Sequence, residues 1–263
     1  MSKSSMKGII TYVENKVGYI KLDNPNKLNA VNIEMWTNIG LILNDFKNNS
    51  DIRCLVLRGA GSDAFSAGAD ISEFNNNRSS KEEVKKYDKA SKNSMKLLQG
   101  FSKPTIAVID GYCIGGGLAI ALSCDLRFAS EKSTFAIPAA KLGLAYDYTG
   151  IKRLRDIVGP SNAKYIFYTA GQFNTEQALR MRLVEKIFKK DVFEEEIMKI
   201  INKICENAPL TISSAKMSID AEENNEEEYN KCLQAEKECF DSKDYKEGRL
   251  AFAEKRKPNF KGH

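Results

Sequence analysis

The feature that most constrains the fold is a short apolar run that ends in a glycine-rich turn and continues into an apolar helix. Residues 105–109 follow Pro104 and have the composition of a buried strand, and residues 118–123 have that of a buried helix. Three glycines at residues 115–117 separate them. Glycines at a helix start allow close backbone approach, and the free N–H groups there can bind an anion. On these residues alone, an anion-binding turn and a tightly packed turn remain equally open.

Strand-like and helical segments alternate over the first two thirds of the chain. Strands are predicted at residues 9–13, 17–22 and 54–57. One helix is predicted to begin after a cap at Asn32, and a polar segment leads into a second helix that ends near Gly100. This alternation predicts an α/β fold up to about residue 190.

The last third of the chain has a different pattern. Residues 193–205, 209–224 and 226–240 all have the spacing of amphipathic helices, and no strand pattern lies among them. We therefore predict two regions, an α/β core at residues 1–190 and a helical region at residues 191–263.

Composition and charge exclude several functions. The chain has 263 residues, of which 42% are hydrophobic and 29% charged, so it can bury the core of one large domain with or without an appendage. Its 40 Lys and Arg residues are interleaved with 35 Asp and Glu residues, and the formal net charge is only +5. No long basic stripe results, so nucleic acid is not a predicted partner.

Histidine and cysteine usage narrows the chemistry further. His263 is the only histidine, which excludes a Ser-His-Asp triad, a Cys-His pair and a multi-histidine metal site. We expect no metal and no redox cofactor. The six cysteines contain no C-x-x-C pair, which favours a reducing compartment. The first seven residues are polar and no apolar run reaches the length of about 18 residues that spans a bilayer, so we expect a cytoplasmic protein without a membrane span.

A second glycine-containing segment follows the predicted strand at residues 54–57. Its sequence is AFSAGADI, at residues 64–71. Neither this segment nor the one at residues 110–117 contains the Gly-Lys-Ser/Thr of a P-loop or a convincing dinucleotide fingerprint. Nucleotide-binding motifs of these two kinds are therefore not predicted.

Several longer runs resemble the signature of one family. They are IAVIDGYCIGGG at residues 106–117, SCDL at 123–126, LNA at 28–30 after Asn24-Pro25, and FAEKR at 252–256. Together with residues 65–71 they are similar to the crotonase (enoyl-CoA hydratase/isomerase) superfamily over nearly the whole chain. The resemblance implies a crotonase-like α/β spiral of β-β-α units, followed by a C-terminal helical trimerisation region. It further implies an acyl-CoA thioester substrate, with coenzyme A as part of the substrate, and a homo-oligomer that is a trimer or a dimer of trimers.

The resemblance also assigns roles to individual residues. The backbone amides of Ala69 and Gly116 would form an oxyanion hole, which holds the thioester oxygen as it becomes negatively charged. Six further residues would bind the CoA portion: Lys27, Ala67, Asp70 and Ile71 within one subunit, and Phe252 and Lys255 from a neighbouring subunit. Without the resemblance, helix packing for Phe252 and a solvated charge for Lys255 are equally good interpretations.

Two positions depart from the family pattern. Family hydratases carry one glutamate just after the glycine triplet and a second just after the later proline, and these positions are Ala119 and Ala139 in this sequence. An alanine side chain cannot transfer a proton. Because general acid–base catalysis is typically worth about 10²- to 10⁴-fold in rate, this absence argues against ordinary hydration. It also argues against a standard 3,2-enoyl-CoA isomerase activity, because the base of those enzymes usually occupies the position of Ala139.

The nearest replacement candidates are Tyr146 and Asp147, in the run LGLAYDYTG at residues 142–150. Asp147 aligns with a catalytic aspartate of dienoyl-CoA isomerases and with the nucleophile of a CoA-dependent dehalogenase. Tyr146 aligns with a tyrosine of methylmalonyl-CoA decarboxylase that contacts the departing carboxylate, and the surrounding run is most similar to that decarboxylase. Alternatively, Asp147 caps a helix that begins near Tyr148, and the tyrosines serve only in packing.

Three hypotheses follow from these residues. The first is an enzyme that forms a thioester enolate, by decarboxylating a malonyl-type acyl-CoA or by moving a double bond with Asp147 as base. The second is an enoyl-CoA hydratase of low or atypical activity. The third is a non-catalytic acyl-CoA binder that retains the fold.

Overall fold

The computed structural model describes residues 4–70 and 81–263. Its contacts divide the chain into two compact units, one formed by Met1–Phe101 with Thr105–Ile197 and the other by Ser102–Pro104 with Met198–His263. The first unit contains the sheets. The predicted division into domains at residues 190 and 191 stays a prediction.

The strands of the described residues belong to two sheets. They are β1 (Ser4–Met6), β2 (Ile9–Glu14), β3 (Val17–Leu22), β4 (Cys54–Gly59), β5 (Ala64–Ser66), β6 (Thr105–Ile109), β7 (Tyr112–Ile114), β8 (Leu126–Ser130), β9 (Thr134–Ala136), β10 (Gln172–Asn174) and β11 (Lys186–Phe188). The larger sheet has the order β1-β2-β3-β4-β6-β8-β11, and the smaller has the order β10-β9-β7-β5.

The α-helices of the described residues separate and follow these strands. They are α1 (Ile33–Asn48), α2 (Lys81–Gln99), α3 (Gly116–Leu122), α4 (Tyr148–Thr169), α5 (Thr175–Arg180), α6 (Phe193–Glu206), α7 (Pro209–Asp220), α8 (Glu226–Asp241) and α9 (Lys243–Ala253). Within the same described residues, no helix is both long enough and apolar enough to cross a bilayer.

Strands β4 to β9 alternate between the two sheets. Strands β4, β6 and β8 lie side by side and parallel in the larger sheet, while β5, β7 and β9, which follow them one by one, lie in the smaller sheet. Each turn of the chain therefore adds one strand to each sheet, and α2 and α3 complete two of these turns. This arrangement confirms the predicted spiral of β-β-α units.

Local signals explain where the elements of the first unit begin. Helix α1 starts after Asn32, whose side chain accepts a hydrogen bond from the Met35 N–H at 2.8 Å, as predicted. Its buried face includes Trp36, Ile39 and Leu43, which join the hydrophobic core. The 3-10 helix Pro25–Lys27 is followed by Leu28, whose φ of +50° is a left-handed conformation that ends the helix.

The second unit is helical, as the sequence predicted, but two details differ. The helix expected at residues 209–224 ends at Asp220 in the structure, and Asn225 caps the next helix instead. Helix α9 was not predicted. It begins at a cap formed by Ser242, whose hydroxyl accepts a hydrogen bond from the Tyr245 N–H at 3.0 Å, a signal that the sequence carried. The role of this region in trimerisation stays a prediction.

Candidate active site

In the segment after β5, the backbone N–H of Ala69 lacks a described acceptor, whereas the N–H groups on both sides of it are hydrogen-bonded. The Ala67 N–H donates to the Leu28 carbonyl at 2.9 Å, and the Gly68 N–H donates to the Ser66 hydroxyl at 3.1 Å. The Asp70 N–H donates to the Val31 carbonyl at 3.2 Å. Among the turn, loop and cap bonds of residues 4–70 and 81–263, none is donated by the N–H of Ala69. This amide is therefore free to bind an oxygen atom of a ligand.

The second predicted amide belongs to Gly116, the first residue of α3. Its N-cap residue is Gly115, which has no side chain to cap the helix, so the first N–H groups lack the usual side-chain acceptor. The described turn, loop and cap bonds include none that is donated by the Gly116 N–H. A free amide at a helix start also has the favourable end of the helix dipole.

The two amides lie beside each other. A Cβ atom built on Gly116 would be 3.5 Å from the Ala69 nitrogen, and one built on Gly68 would be 3.4 Å from the Gly116 nitrogen. Such an atom on Gly68 would also be 3.0 Å from the Ile114 carbonyl oxygen, and Gly68 has a φ of +106°. The backbone conformation therefore strongly favours glycine at residue 68, and an added Cβ would also be crowded.

Tyr146 borders the same place. Its hydroxyl oxygen is 3.9 Å from the position that a Cβ on Gly115 would take, and its ring packs edge-on against Phe167 with 5.3 Å between the ring centroids. Burial, with smaller contributions from Tyr87 and Asp147, raises the pKa of Tyr146 to about 12. The side chain is thus a neutral phenol at physiological pH, and it can donate a hydrogen bond beside the free amides.

Asp147 acts as a helix cap in the structure. Its Oδ1 accepts hydrogen bonds from the Gly150 N–H at 2.9 Å and from the Thr149 hydroxyl at 2.6 Å, at the start of α4. Burial raises the pKa of Asp147, but these two donors and nearby Lys92 outweigh burial and hold it below the ordinary value. The alternative prediction of a cap is confirmed. A carboxylate held in this way is a weaker base than a free one.

Ala119 and Ala139, at the positions where the family pattern predicts the hydratase glutamates, both lie in helical segments. Ala119 lies in the first turns of α3, and Ala139 lies in the 3-10 helix Pro138–Leu142, where it is 4% exposed. Both are methyl side chains, so neither helix offers an acid or a base at these positions.

Some predicted CoA-binding residues are close together. The Lys27 ammonium group is 2.7 Å from Oδ2 of Asp70, and the Asp70 side chain is buried while that of Lys27 is 46% exposed. Ala67 is partly buried on the segment that leads to Ala69. Ile71 lies outside the described residues.

The other two predicted CoA-binding residues belong to the second unit. Phe252 is near the end of α9 and is 88% exposed, and Lys255 follows the helix with a φ of +54°. Their predicted role requires a neighbouring subunit and stays a prediction.

The sequence analysis missed one group of residues at this site. Trp36 of α1 donates a hydrogen bond from Nε1 to the Tyr87 hydroxyl at 2.9 Å, and that hydroxyl donates to the Val31 carbonyl at 3.3 Å. These residues are 51 and 56 positions apart, so no local pattern could have connected them. Within residues 4–70 and 81–263, no group of three or more His, Cys, Asp or Glu side chains could hold a metal ion.

Comparison with known proteins places the chain in a family. The family model described as enoyl-CoA hydratase/isomerase matches residues 12–263. The chain belongs to this family. The superfamily predicted from the sequence motifs is therefore confirmed.

Individual members of the enoyl-CoA hydratase/isomerase family agree with this assignment. The chain is 32% identical over 254 residues to a short-chain-enoyl-CoA hydratase of Clostridium acetobutylicum, covering 96% of this chain and 97% of that protein. It is 33% identical over 254 residues to a methylmalonyl-CoA decarboxylase of Escherichia coli, covering 95% and 96%. The crystal structure of an enoyl-CoA hydratase/carnithine racemase from Magnetospirillum magneticum superposes with a TM-score of 0.92 at 31% identity, covering 98% and 97%. These similar identities leave the reaction open, since the names include both hydratases and a decarboxylase.

Proposed function

We propose that this member of the enoyl-CoA hydratase/isomerase family decarboxylates a malonyl-type acyl-CoA. One observation carries the proposal: the protonated hydroxyl of Tyr146 lies beside Gly115, next to the free amides of Ala69 and Gly116. The two positions at which the family motifs predict the hydratase acids carry Ala119 and Ala139. The resulting site has hydrogen-bond donors and lacks the two acids of hydration. A methylmalonyl-CoA decarboxylase is among the relatives of the chain, so the proposed reaction occurs within the family.

The reaction suits a site of this kind because it requires no base. The bond between the α-carbon and the carboxylate breaks, its electron pair forms the double bond of an enolate, and the thioester oxygen becomes negative as carbon dioxide leaves. In the proposal the amides of Ala69 and Gly116 bind that oxygen, and each such donor typically lowers the barrier by about 3 to 4 kcal/mol. A proton from water or from the Tyr146 hydroxyl then completes the acyl-CoA product.

Tyr146 would orient the departing carboxylate. A phenol with a pKa of about 12 remains a donor at neutral pH, and its ring is fixed against Phe167. Holding the carboxylate at a defined angle to the thioester lets the breaking bond align with the carbonyl π system. The same hydroxyl excludes a water molecule from that position.

The CoA portion would be bound by the positive charge of Lys27 and by neighbouring residues of the first unit. An ammonium group has three N–H donors, so Lys27 can keep its contact with Asp70 and bind a phosphate as well. Ala67 would border the CoA pocket. We further propose that Phe252 and Lys255 bind the CoA of a neighbouring subunit in a trimer or a dimer of trimers, which native mass spectrometry would test by counting three or six chains.

The proposed activity is tested with a panel of acyl-CoA thioesters. Purified protein is incubated with malonyl-CoA, methylmalonyl-CoA, crotonyl-CoA and a 3-enoyl-CoA, and carbon dioxide, hydrated product and shifted double bonds are measured. We expect carbon dioxide release from a malonyl-type substrate to exceed every other conversion. Faster hydration of crotonyl-CoA would overturn the proposal, and CoA binding without any turnover would favour a non-catalytic binder.

Variants of Tyr146 connect the activity to the site. Tyr146→Phe removes only the hydroxyl, and we expect kcat for decarboxylation to fall by about 100-fold, the lower end of the loss found when one aimed donor is removed. The matched control is Tyr168→Phe, because Tyr168 lies near the C-terminal end of α4 and is 76% exposed. Equal activity of both variants would remove Tyr146 from the mechanism.

Double-bond isomerisation is the second candidate function. It is favoured by the position of Asp147 directly after Tyr146, and it needs the carboxylate as a base. The lowered pKa and the two hydrogen bonds of Asp147 count against this candidate. A shifted double bond in the panel that disappears in Asp147→Asn would establish it.

A further inference from the structure

A chain of hydrogen bonds connects two helices to the backbone beside the candidate oxyanion hole. Trp36 of α1 donates to the Tyr87 hydroxyl at 2.9 Å, and Tyr87 of α2 donates to the Val31 carbonyl at 3.3 Å. Helix α2 is also fastened to α1 by the Ser94 hydroxyl, which donates to the Trp36 carbonyl at 2.5 Å. The position of the Tyr87 hydroxyl is therefore fixed from both helices.

Val31 in turn fixes the backbone on both sides of Ala69. Its N–H donates to the Gly68 carbonyl at 2.7 Å, and its carbonyl accepts from the Asp70 N–H at 3.2 Å. Those two bonds form an isolated parallel bridge between Val31 and Ala69. The peptide planes that flank Ala69 are thereby held by one residue, and the direction of the Ala69 N–H depends on where Val31 lies.

We propose that Tyr87 is a positioning residue for the oxyanion hole, which it aligns through the Val31 carbonyl and the bridge to Ala69. Tyr87 does not need to contact the substrate for this role. The Val31 carbonyl receives two donors, the Tyr87 hydroxyl and the Asp70 N–H, and the first of them ties the strand-like segment to α2.

The geometry explains why such a tie matters. The Ala69 segment is a short connection after β5, and it is paired with its neighbour by a single bridge rather than by a ladder. An amide that stabilises a developing charge must be placed to within about 0.5 Å to be effective. Without the Tyr87 hydroxyl, the Val31 carbonyl loses its hydrogen bond to α2, so Val31 and the Ala69 amide that it holds are positioned less precisely.

The test measures polarisation of a thioester carbonyl, independently of turnover. Butyryl-CoA labelled with ¹³C at the thioester carbon is bound to the wild type and to Tyr87→Phe, and the carbonyl stretching band is recorded by isotope-edited infrared spectroscopy. We expect the wild type to shift the band to lower frequency and Tyr87→Phe to lose a large part of that shift. With a substrate that turns over, kcat should fall by about 10-fold with little change in KM, because a small misplacement weakens transition-state binding more than substrate binding.

Controls separate alignment from stability. Tyr165→Phe, on the exposed side of α4, should leave the band shift and kcat unchanged. If Tyr87→Phe does not fold, Trp36→Phe serves instead, since it removes the donor that holds the Tyr87 hydroxyl and should reduce the shift by a smaller amount. An unchanged band shift in folded Tyr87→Phe or in folded Trp36→Phe would overturn the inference.

The inference rests on the oxyanion hole of the proposed function, and the two can fail separately. If the wild type shifts the band and Tyr87→Phe loses the shift, but no malonyl-type substrate releases carbon dioxide, the positioning role stands and the decarboxylase does not. If the wild type produces no shift, there is no oxyanion hole at Ala69 and Gly116, and both are overturned.

Discussion

Ala69 and Gly116 would act through their backbone and not through their side chains. The N–H of Ala69 donates none of the described turn, loop and cap bonds, whereas the neighbouring N–H groups are bonded to Leu28, Ser66 and Val31. The N–H of Gly116 is available because it begins a helix without a side-chain cap. A site built in this way tolerates many side chains at residue 69, but it depends on the surrounding hydrogen bonds.

The protonation state of Tyr146 predicts the alkaline limb of the pH profile. Because burial raises its pKa to about 12, the hydroxyl remains a donor through the range in which an ordinary tyrosine ionises, near 10. We expect kcat, so far as it depends on the Tyr146 hydroxyl, to be constant up to pH 10 and to fall only as the pH approaches 12. Stopped-flow measurement with a brief pH jump would check this, and a decline centred near 10 would mean that the hydroxyl is exposed to water in the working enzyme.

Replacement of Asp147 separates its capping role from a catalytic one. Asn is as good an N-cap as Asp, so Asp147→Asn should leave both the free energy of unfolding and decarboxylation nearly unchanged. Asp147→Ala should lower the free energy of unfolding by about 1 kcal/mol because the Gly150 N–H and the Thr149 hydroxyl lose their acceptor. Chemical denaturation and kcat of both variants give the measurement. A loss of more than tenfold in kcat for Asp147→Asn would point to a catalytic carboxylate.

At the scale of elements, the site depends on the approach of α3 to β5. A Cβ atom on Gly117 would lie 2.4 Å from the Ser66 carbonyl oxygen and 2.7 Å from the Ser66 Cβ. The second sheet brings β5 and β7 together as parallel neighbours, and α3 continues from β7 through Gly115. Gly117 therefore serves close packing, while Gly116 supplies the free amide, so the two interpretations of the turn that the sequence left open are compatible.

Substitution of Gly117 should disturb both the packing and the site. Gly117→Ala places its methyl group against backbone that cannot move easily, and we expect a loss of about 1 to 3 kcal/mol in the free energy of unfolding, typical of overpacking. Activity should fall as well, since α3 carries Gly116. Gly171→Ala is the matched control, because the nearest atom to its new methyl group would be the Thr169 hydroxyl oxygen at 3.6 Å, an ordinary contact. Equal thermal stability of the two variants would contradict the packing argument.

For the whole molecule, two tyrosines with raised pKa values, the buried Tyr19 and the half-buried Tyr146, make stability sensitive to high pH. Burial is the main cause that raises the pKa of Tyr19, on the central part of the larger sheet, and the pKa of Tyr146, each to about 12. Above pH 10 the unfolded chain releases these protons while the folded chain keeps them. The unfolded state is thereby favoured, and stability falls as pH rises from 10 to 12.

Removal of one of these hydroxyls should make this dependence smaller. A pKa that is raised by about two units in the folded state lowers the free energy of unfolding by about 2 to 3 kcal/mol per group, once the group has titrated in both states. We expect Tyr146→Phe to lose less stability than the wild type between pH 9 and pH 12, and urea denaturation across that range measures the difference. Identical slopes for the two proteins would show that Tyr146 titrates alike in the folded and unfolded states.

Features that depend on a few adjacent residues could be predicted from the sequence. The cap at Asn32, the strands at residues 17–22 and 105–109, and the glycine turn before α3 all follow from local conformational preference and periodicity. The motifs determined the family. Ala119 and Ala139 were also evident from the sequence, because the motifs locate these two positions and the residue at each can be read directly.

The way in which these parts act together depends on long-range packing. The free amide of Ala69 is defined by hydrogen bonds to Leu28 and Val31, which lie more than 35 residues earlier in the chain, and no local pattern encodes such pairings. The same holds for Tyr87 and Val31, and for the different environments of Tyr146 and Asp147, which are adjacent in sequence. One side chain packs against Phe167 with its hydroxyl beside Gly115, while the other turns back to cap α4. Capping is a local property that the sequence could suggest, whereas burial of a phenol beside a distant turn arises only when the chain packs.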